Sequence, residues 1–398
     1  MPSIEEVQSS PILIQRIKLS GLLSFGPMGI DLPLSGLNVL IGPNGSGKSN
    51  LIEALALLRA APSSLPAPVK EMGGVREWLW KGEGTTKKAV IDVVVTNPGK
   101  HQDLRHVLHI QEHGSRFEVT DERVENERAY ARKEEPYYYY RYRGGNPVLH
   151  DFQEKERKIG RDQILPEESI LSQVKDPERY PALSRLQHAY GNIRLFRNWT
   201  FGPGAALRRE QSTHGRSDFL EDGGENLALV LSNIRNKVKK ELIRSLKELY
   251  AGIEDLGFTI DGGTVQMFVE ESGGRQIPAT RLSDGTLRYL CLLAILLHPE
   301  PPPLIVIEEP ELGLHPDIIA HLAELLRGAA LRTQVIVTTH SRELVDALAE
   351  VPEAIVVCGK RDGESIFERL DGVKLKKWLE RYSLGELWSI GELGGNRW

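Results

Sequence analysis

The stretch Leu40-Ile41-Gly42-Pro43-Asn44-Gly45-Ser46-Gly47-Lys48-Ser49-Asn50 decides how the rest of the chain is read. It has the form G-x-x-x-x-G-K-S, a glycine-rich turn closed by a lysine and a hydroxyl. Ahead of it, Leu37 to Ile41 is an apolar run of strand length; behind it, Leu51, Ile52, Leu55 and Leu58 recur at helical spacing until Pro62. Strand, loop and helix in this order turn successive backbone N–H groups and a helix N-terminus toward one anion. Gly42, Pro43, Asn44, Gly45, Ser46, Gly47 and Asn50 are therefore the expected cradle of a nucleoside triphosphate. Lys48 is placed to reach the β- and γ-phosphates, and the Ser49 hydroxyl to sit on Mg²⁺.

At 398 residues the chain has room for two domains, or for one domain carrying a large insertion. A hydrophobic fraction of 40% and a charged fraction of 26% suit a soluble globular protein. The net charge of −5 carries no global nucleic-acid footprint, so any DNA contact has to rest on a local basic face. Cys291 and Cys358 lie in apolar runs, which favours buried packing over a disulfide or a metal site. Met1 to Ser10 is polar and acidic, without the apolar core of a signal peptide. The longest apolar run, Tyr289 to Leu297, is too short to span a bilayer. A cytoplasmic protein without membrane contact is the expectation.

Outward from the loop, Ile12–Ser20 and Met28–Leu34 predict two strands, with Leu22, Leu23 and Phe25 between them packing or touching ligand, packing being favoured. From Pro62 to Lys87 prolines, glycines, Trp78 and Trp80 interrupt the pattern. Alternation returns in Ala89–Val95, Leu104–Gln111, Ser115–Val119 and Tyr137–Arg143 before Gly144-Gly145, the mark of an antiparallel meander. The tyrosine and arginine alternation of 137–143 fits a base-stacking platform or a half-buried strand with a polar face. Gln153 to Arg161 reads as a solvated loop or helix face.

Tyr180 to about Tyr250 reads as mainly helical, with an apolar helix opening at Asn226–Leu231. Arg235, Lys237, Lys239, Lys240, Arg244 and Lys247, opposed in the segment by Glu241 and Glu248, form a local basic patch. It is either a phosphate-backbone contact or the wet side of an amphipathic helix. No heptad repeat persists, which excludes a long coiled-coil arm.

Three more stretches follow in a fixed order. Arg281-Leu282-Ser283-Asp284-Gly285-Thr286-Leu287-Arg288 leads into the apolar helix Tyr289–Leu297 and offers an anion a hydroxyl and free N–H groups. Leu304-Ile305-Val306-Ile307-Glu308-Glu309-Pro310-Glu311 describes a buried parallel strand that ends in acids. The carboxyl edge of such a sheet is where ligands sit. One carboxylate there can hold Mg²⁺ while its neighbour activates water. Gln334-Val335-Ile336-Val337-Thr338-Thr339-His340-Ser341 is a second buried strand, and its histidine arrives at the same edge as a candidate γ-phosphate sensor.

In this order the loop, L-S-D-G-T, I-E-E-P-E and T-T-H-S resemble the ATP-binding cassette class, and more narrowly the RecF/SMC/OLD-like ATPases. The resemblance covers about Ile12–Arg59 and Arg281–Asp346 and is weak between them. It implies an α/β P-loop NTPase head with a mixed or parallel sheet, an antiparallel β lobe and a helical insertion. Residues 1–62 and 281–398 would form the ATPase core, 63–165 an inserted β-meander lobe, and 166–280 a helical insertion leading to the signature stretch. It further implies ATP and Mg²⁺ as ligands. Lys48 and Ser49 would hold phosphates and metal, Glu308 the metal, Glu309 would be the catalytic base and His340 the switch histidine. Ser283 and Gly285 would touch the γ-phosphate held by a second copy, in a head-to-tail homodimer sandwiching two ATP molecules. Leu312-Gly313-Leu314-His315-Pro316 resembles the loop along that seam.

The departures carry expectations of their own. Glu308 stands where the wider class has Asp, which implies a longer or water-bridged metal contact. No glutamine linking nucleotide to the inserted lobe is identifiable. Only 58 residues follow His340, too few for an appended TOPRIM nuclease, so a nuclease would be a separate chain. The tail, Leu384 to Trp388 and Gly394 to Trp398, resembles the ending of bacterial RecF-like predicted ATPases. It would dock a partner or seal the domain, with sealing favoured. The leading function is an ATPase whose dimerisation gates DNA work in repair or defence; the alternative is an ATP-controlled scaffold that holds or releases an effector. A transporter motor is disfavoured, because 234 positions separate Ser49 from Ser283.

Overall fold

The computed structural model describes residues 12–82, 88–114, 116–143, 146–197 and 199–394. Met1 to Ser10, Ser115, Gly144-Gly145 and Gly395 to Trp398, which figured in the expectations above, lie outside the described residues.

The chain begins with β1 (Ile14–Ser20), β2 (Ile30–Pro33) and β3 (Leu37–Ile41), and the loop delivers it into α1 (Lys48–Ala60). Two short helices, α2 (Pro66–Glu71) and α3 (Val75–Trp78), occupy the proline- and tryptophan-rich stretch. The meander comprises β4 (Lys88–Val95), β5 (Leu104–His113), β6 (Arg116–Asn126), β7 (Tyr138–Arg143), β8 (Asn146–His150) and β9 (Glu156–Lys158). Then come α4 (Ile170–Gln173), α5 (Pro181–Gly191), β10 (Ile193–Phe196), β11 (Gln211–Ser212) and the long α6 (Leu227–Leu249). A hairpin series, β12 (Ile253–Asp261), β13 (Thr264–Glu271) and β14 (Arg275–Pro278), leads to α7 (Asp284–Leu296) and β15 (Leu304–Glu308). The remainder is α8 (Ile319–Ala330), β16 (Gln334–Thr339), α9 (Arg342–Ala347), β17 (Ile355–Arg361), β18 (Glu364–Arg369), α10 (Gly372–Leu379) and α11 (Leu384–Ser389).

The strands among the described residues form three sheets. The central one has the order β10-β15-β16-β3-β17-β18 and is parallel except for β18. Its strands are apolar on both faces because both are covered. Val39, Ile41, Ile305, Ile307, Val335 and Val337 point into a core shared with α6, α7, α8 and α9. Leu40, Leu304, Val306 and Ile336 point the other way, into a core shared with α1, α5 and the meander. Each such fully buried side chain contributes about 1.5–3 kcal/mol. The second sheet, β2-β1-β4-β5-β6-β7-β8-β9, is antiparallel throughout, so the meander continues the N-terminal hairpin as one sheet. Tyr140 and Tyr142 of β7 are 1% and 7% exposed, the inward face of a half-buried strand. Leu22 and Phe25 are buried packing residues, as read.

The stretch 166–280 corrects the helical reading. It contains α5 and α6, but β10 joins the central sheet beside β15, and β11 to β14 make a third, four-stranded sheet. Four residues between two helices are too few to display strand periodicity, and only the pairing partner, 111 residues on at Leu304, declares β10 a strand. The basic patch on α6 is also altered by its surroundings. Lys237 meets Glu300 at 3.0 Å, Arg235 and Lys239 meet Asp255 at 2.5 and 3.2 Å, and Arg244 reaches Glu324 at 3.8 Å. Three acids from outside the helix therefore partner four of its six cations. Both cysteines are buried, and burial pushes their thiols up. In the tail, Leu384 and Leu387 are wholly buried against α9, which is the sealing role for this part of it. No helix among the described residues is long and apolar enough to cross a membrane.

Candidate nucleotide site

The loop between β3 and α1 closes with Gly42, Gly45 and Gly47 at φ values of 147°, 78° and 102°. At Gly42 there is a second reason for glycine: a Cβ would lie 2.1 Å from the Cys358 carbonyl oxygen of β17. Asn44, Gly45, Gly47 and Asn50 line the cavity above the loop. Asn50 also donates its amide to the Ser24 hydroxyl at 2.6 Å, and Ser365 donates to the same oxygen at 2.7 Å. The turn after β1 and the strand β18 thus brace the loop from behind. Ser46 is 2% exposed, and its hydroxyl has no partner among the described residues.

Lys48 folds back over the loop, its Nζ donating to the carbonyls of Gly42 at 2.7 Å and Pro43 at 3.1 Å. Burial lowers the ammonium's pKa, against the raising pull of nearby acids including Glu309 and Glu308. A buried cation resting on neutral carbonyls is electrostatically under-compensated, which favours an incoming anion.

β15 carries Glu308 to the same edge. Its Oε1 accepts from Ser49 Oγ at 2.7 Å, and its Oε2 accepts from Arg197 Nε at 2.9 Å. Arg197, one residue beyond β10, also pairs through Nη1 with Glu53 of α1 at 2.7 Å. The Glu308 carboxylate is therefore held between a hydroxyl and a guanidinium. A serine hydroxyl and a carboxylate oxygen this close are hard oxygen donors suited to Mg²⁺ arriving with a triphosphate.

Glu309 adopts φ 46°, the left-handed region that residues with a Cβ rarely occupy. Its N–H donates to the Thr338 carbonyl at 3.0 Å, and Arg288 of α7 donates to its carbonyl at 3.2 Å. Strained backbone held by surrounding bonds recurs at functional sites. His340 lies just past β16, with Nε2 3.8 Å from Glu309 Oε1. Its backbone N–H donates to Glu311 Oε1 at 3.1 Å, and the same oxygen accepts from Thr339 Oγ1 at 2.6 Å. Burial, then the Lys48 ammonium, lowers the His340 pKa, so the imidazole is neutral at pH 7.

Lys48, Ser49, Glu308, Glu309 and His340 converge on one cavity of about 140 Å³. Pockets that enclose a drug-sized ligand run to about 300–1,000 Å³, so this one covers only part of a nucleotide. Ser283 and Gly285 are not among its walls. Ser283 caps α7, accepting from the Thr286 N–H at 3.1 Å, and is exposed. A Cβ on Gly285 would lie 2.7 Å from the Gly313 carbonyl oxygen, so the signature turn packs directly on the 312–316 loop. Sequence reading missed Arg197, Glu53 and Glu311. Glu53 had a signal, as an acid inside the apolar run of α1. Arg197 had none while its strand was read as helix.

The family model described as "AAA domain, putative AbiEii toxin, Type IV TA system" matches residues 37–346. Among curated proteins the chain is 38% identical over 96 residues to the DNA replication and repair protein RecF of Acidothermus cellulolyticus, 23% of this chain and 25% of that one. It is 30% identical over 64 residues to the chromosome partition protein Smc of Methanocaldococcus jannaschii, 16% of this chain and 5% of that one. The chain thus spans about a quarter of the RecF relative's length and far less of Smc. Among solved structures, the SmcHead bound to the C-winged helix domain of ScpA aligns at TM-score 0.56 and 16% identity over 91% of this chain and 99% of that one. The Smc head of Pyrococcus furiosus with an extended coiled coil, bound to the C-terminal domain of ScpA, aligns at 0.54 and 15% over 92% and 98%. These likenesses show the fold. With most of its length matched and the phosphate loop, acid pair and histidine gathered at one sheet edge, the chain belongs to this AAA-domain family, within the ABC-class, RecF/SMC-like ATPases.

Proposed function

We propose that the chain hydrolyses ATP at sites completed across a head-to-tail pair of copies, and that this pairing gates DNA binding or processing in repair or defence. The observation that carries the reading is the split geometry. The Lys48–His340 cavity is half open, while Ser283 stands exposed at the N-terminus of α7, outside it. A second copy facing the first would bring Ser283 and Gly285 over the γ-phosphate. In this reading Lys48 leaves its carbonyl partners for the β/γ-phosphates, and Ser49 and Glu308 hold Mg²⁺. The metal would neutralise charge on the transferred phosphoryl group. Arg197 keeps Glu308 aimed, Glu309 takes the proton of the attacking water, and neutral His340 orients it.

The RecF relative's name, replication and repair, and the toxin–antitoxin wording of the family support DNA-linked or defence work. The pairing of four of the six α6 cations with acids supports a second reading, in which the pair is a scaffold that holds or releases a separate effector such as a TOPRIM nuclease. Glu309→Gln tests the core of the proposal: it is expected to bind ATP and accumulate as a dimer on light scattering. An ATP-bound variant that stays monomeric at high concentration would refute the split site.

A further inference from the structure

A cavity of about 500 Å³ lies between the loop at 97–102, the connection from β6 to β7, the β8–β9 turn and the start of α5. It shares no wall with the nucleotide site. Tyr130, Tyr137, Tyr139, Phe152 and Tyr180, with the imidazoles of His101 and His150, bring seven rings to it. Tyr130 and Phe152 are 52% and 62% exposed, aromatic surface left in water at the mouth, whereas Tyr180 is buried.

The walls are held by bonds that need no ligand. Asn126 N–H donates to the Tyr137 carbonyl at 2.8 Å, and Phe152 N–H to the Arg179 carbonyl at 3.0 Å. Arg185 donates to Asn97 Oδ1 at 2.6 Å and to the Pro98 carbonyl at 2.9 Å. Within this frame Asn126 is 2% exposed; its Oδ1 accepts from the Tyr139 hydroxyl at 2.9 Å, and its Nδ2 has no partner among the described residues. A buried amide with unused donors is costly unless something accepts from it. The charged groups are mixed, Lys100 and Arg185 against Asp151 and Glu154, which does not suit a strongly anionic ligand. Burial also pushes the Tyr137 phenol up to about 12, so the ring is neutral at pH 7.

We propose that this cavity receives the base of an unpaired nucleotide. A flat heteroaromatic ring stacks on tyrosine and phenylalanine whatever its identity, and its carbonyl or ring nitrogen can accept from Asn126. The backbone phosphate stays outside. An unpaired DNA strand as the source rests on the DNA-linked reading above; the ring chemistry does not, and a free nucleoside is the other source.

The test uses the full chain with labelled oligothymidylate, followed by anisotropy, and with thymidine, followed by calorimetry. Neither probe carries the triphosphate that the loop recognises. The double variant Tyr130→Ala, Phe152→Ala is expected to weaken oligothymidylate about tenfold or more, with ATP hydrolysis unchanged, and Tyr130→Phe is expected to bind as wild type. Parallel loss for thymidine identifies a nucleoside site; loss for the strand alone identifies an unpaired strand. Should the double variant misfold by circular dichroism, Tyr130→Ala alone serves, since that ring is half in water. Failure of wild type to bind either probe, or equal binding by wild type and variant, overturns the proposal. Dimerisation of Glu309→Gln is read separately, so neither result stands in for the other.

Discussion

Arg197→Ala is the most informative single change. The guanidinium donates to Glu308 at 2.9 Å and Glu53 at 2.7 Å, and the three side chains are 23%, 20% and 9% exposed. Removing it leaves two carboxylates facing one another with no cation between them. Deleting one partner of a fully buried ion pair costs about 3–5 kcal/mol. The partial exposure of Arg197 and Glu308 reduces this, and about 2–3 kcal/mol is expected. In addition Glu308 loses one of the two bonds that aim it at Ser49, so the Mg²⁺ dependence of hydrolysis should move to higher concentration. Urea unfolding followed by circular dichroism measures the first effect, and phosphate release against Mg²⁺ the second. Arg197→Lys, which keeps the charge but not the two-ended geometry, should recover part of the stability and less of the turnover. A double-mutant cycle with Glu53→Gln should show a coupling of about 1–3 kcal/mol. Unfolding within about 0.5 kcal/mol of wild type, together with unchanged Mg²⁺ dependence, would refute the bracket.

Other predictions follow from single contacts. Gly285→Ala forces a Cβ to 2.7 Å from the Gly313 carbonyl, so it should lose about 1–3 kcal/mol of stability and slow hydrolysis; a variant as stable and active as wild type would show that the turn can move freely. Ser283→Arg should abolish hydrolysis while calorimetric ATP binding stays intact, because the serine is exposed outside the cavity of its own chain; parallel loss of binding would place it in the same site after all. His340 is held below the ordinary value of 6.5 by burial and by Lys48, so the folded state binds fewer protons than the unfolded one. Its contribution to stability is therefore full above pH 6.5 and is lost as pH falls toward its folded pKa. Unfolding curves of wild type and His340→Gln should converge in that acid window; divergence there would reverse the sign.

Much of the fold was legible because periodicity is local. The loop's strand and helix, the acid-ended β15, β16 with His340 just past it and each strand of the meander carry their pattern within a dozen residues. The α6 patch was legible as charge but not as field: Asp255 of β12, Glu300 in the connection after α7 and Glu324 of α8 pair with four of its six cations. β10 failed for the opposite reason, being too short to show a period between two helices.

By itself the sequence determined the groups available: a glycine-rich loop with a lysine and a serine, a pair of glutamates and a histidine, each at the end of an apolar strand where a parallel sheet would present it. That follows because glycine geometry, hydroxyls and carboxylates act within a few bonds of the backbone that carries them. Only the tertiary structure decided that Arg197 stands between Glu53 and Glu308, that Glu311 fixes the His340 backbone, and that Ser283 lies outside the cavity of its own chain. Those facts depend on strand order, since the β10–β15–β16–β3 arrangement brings together residues more than a hundred positions apart. Strand order is set by which apolar faces bury one another, a property of the whole chain rather than of any stretch.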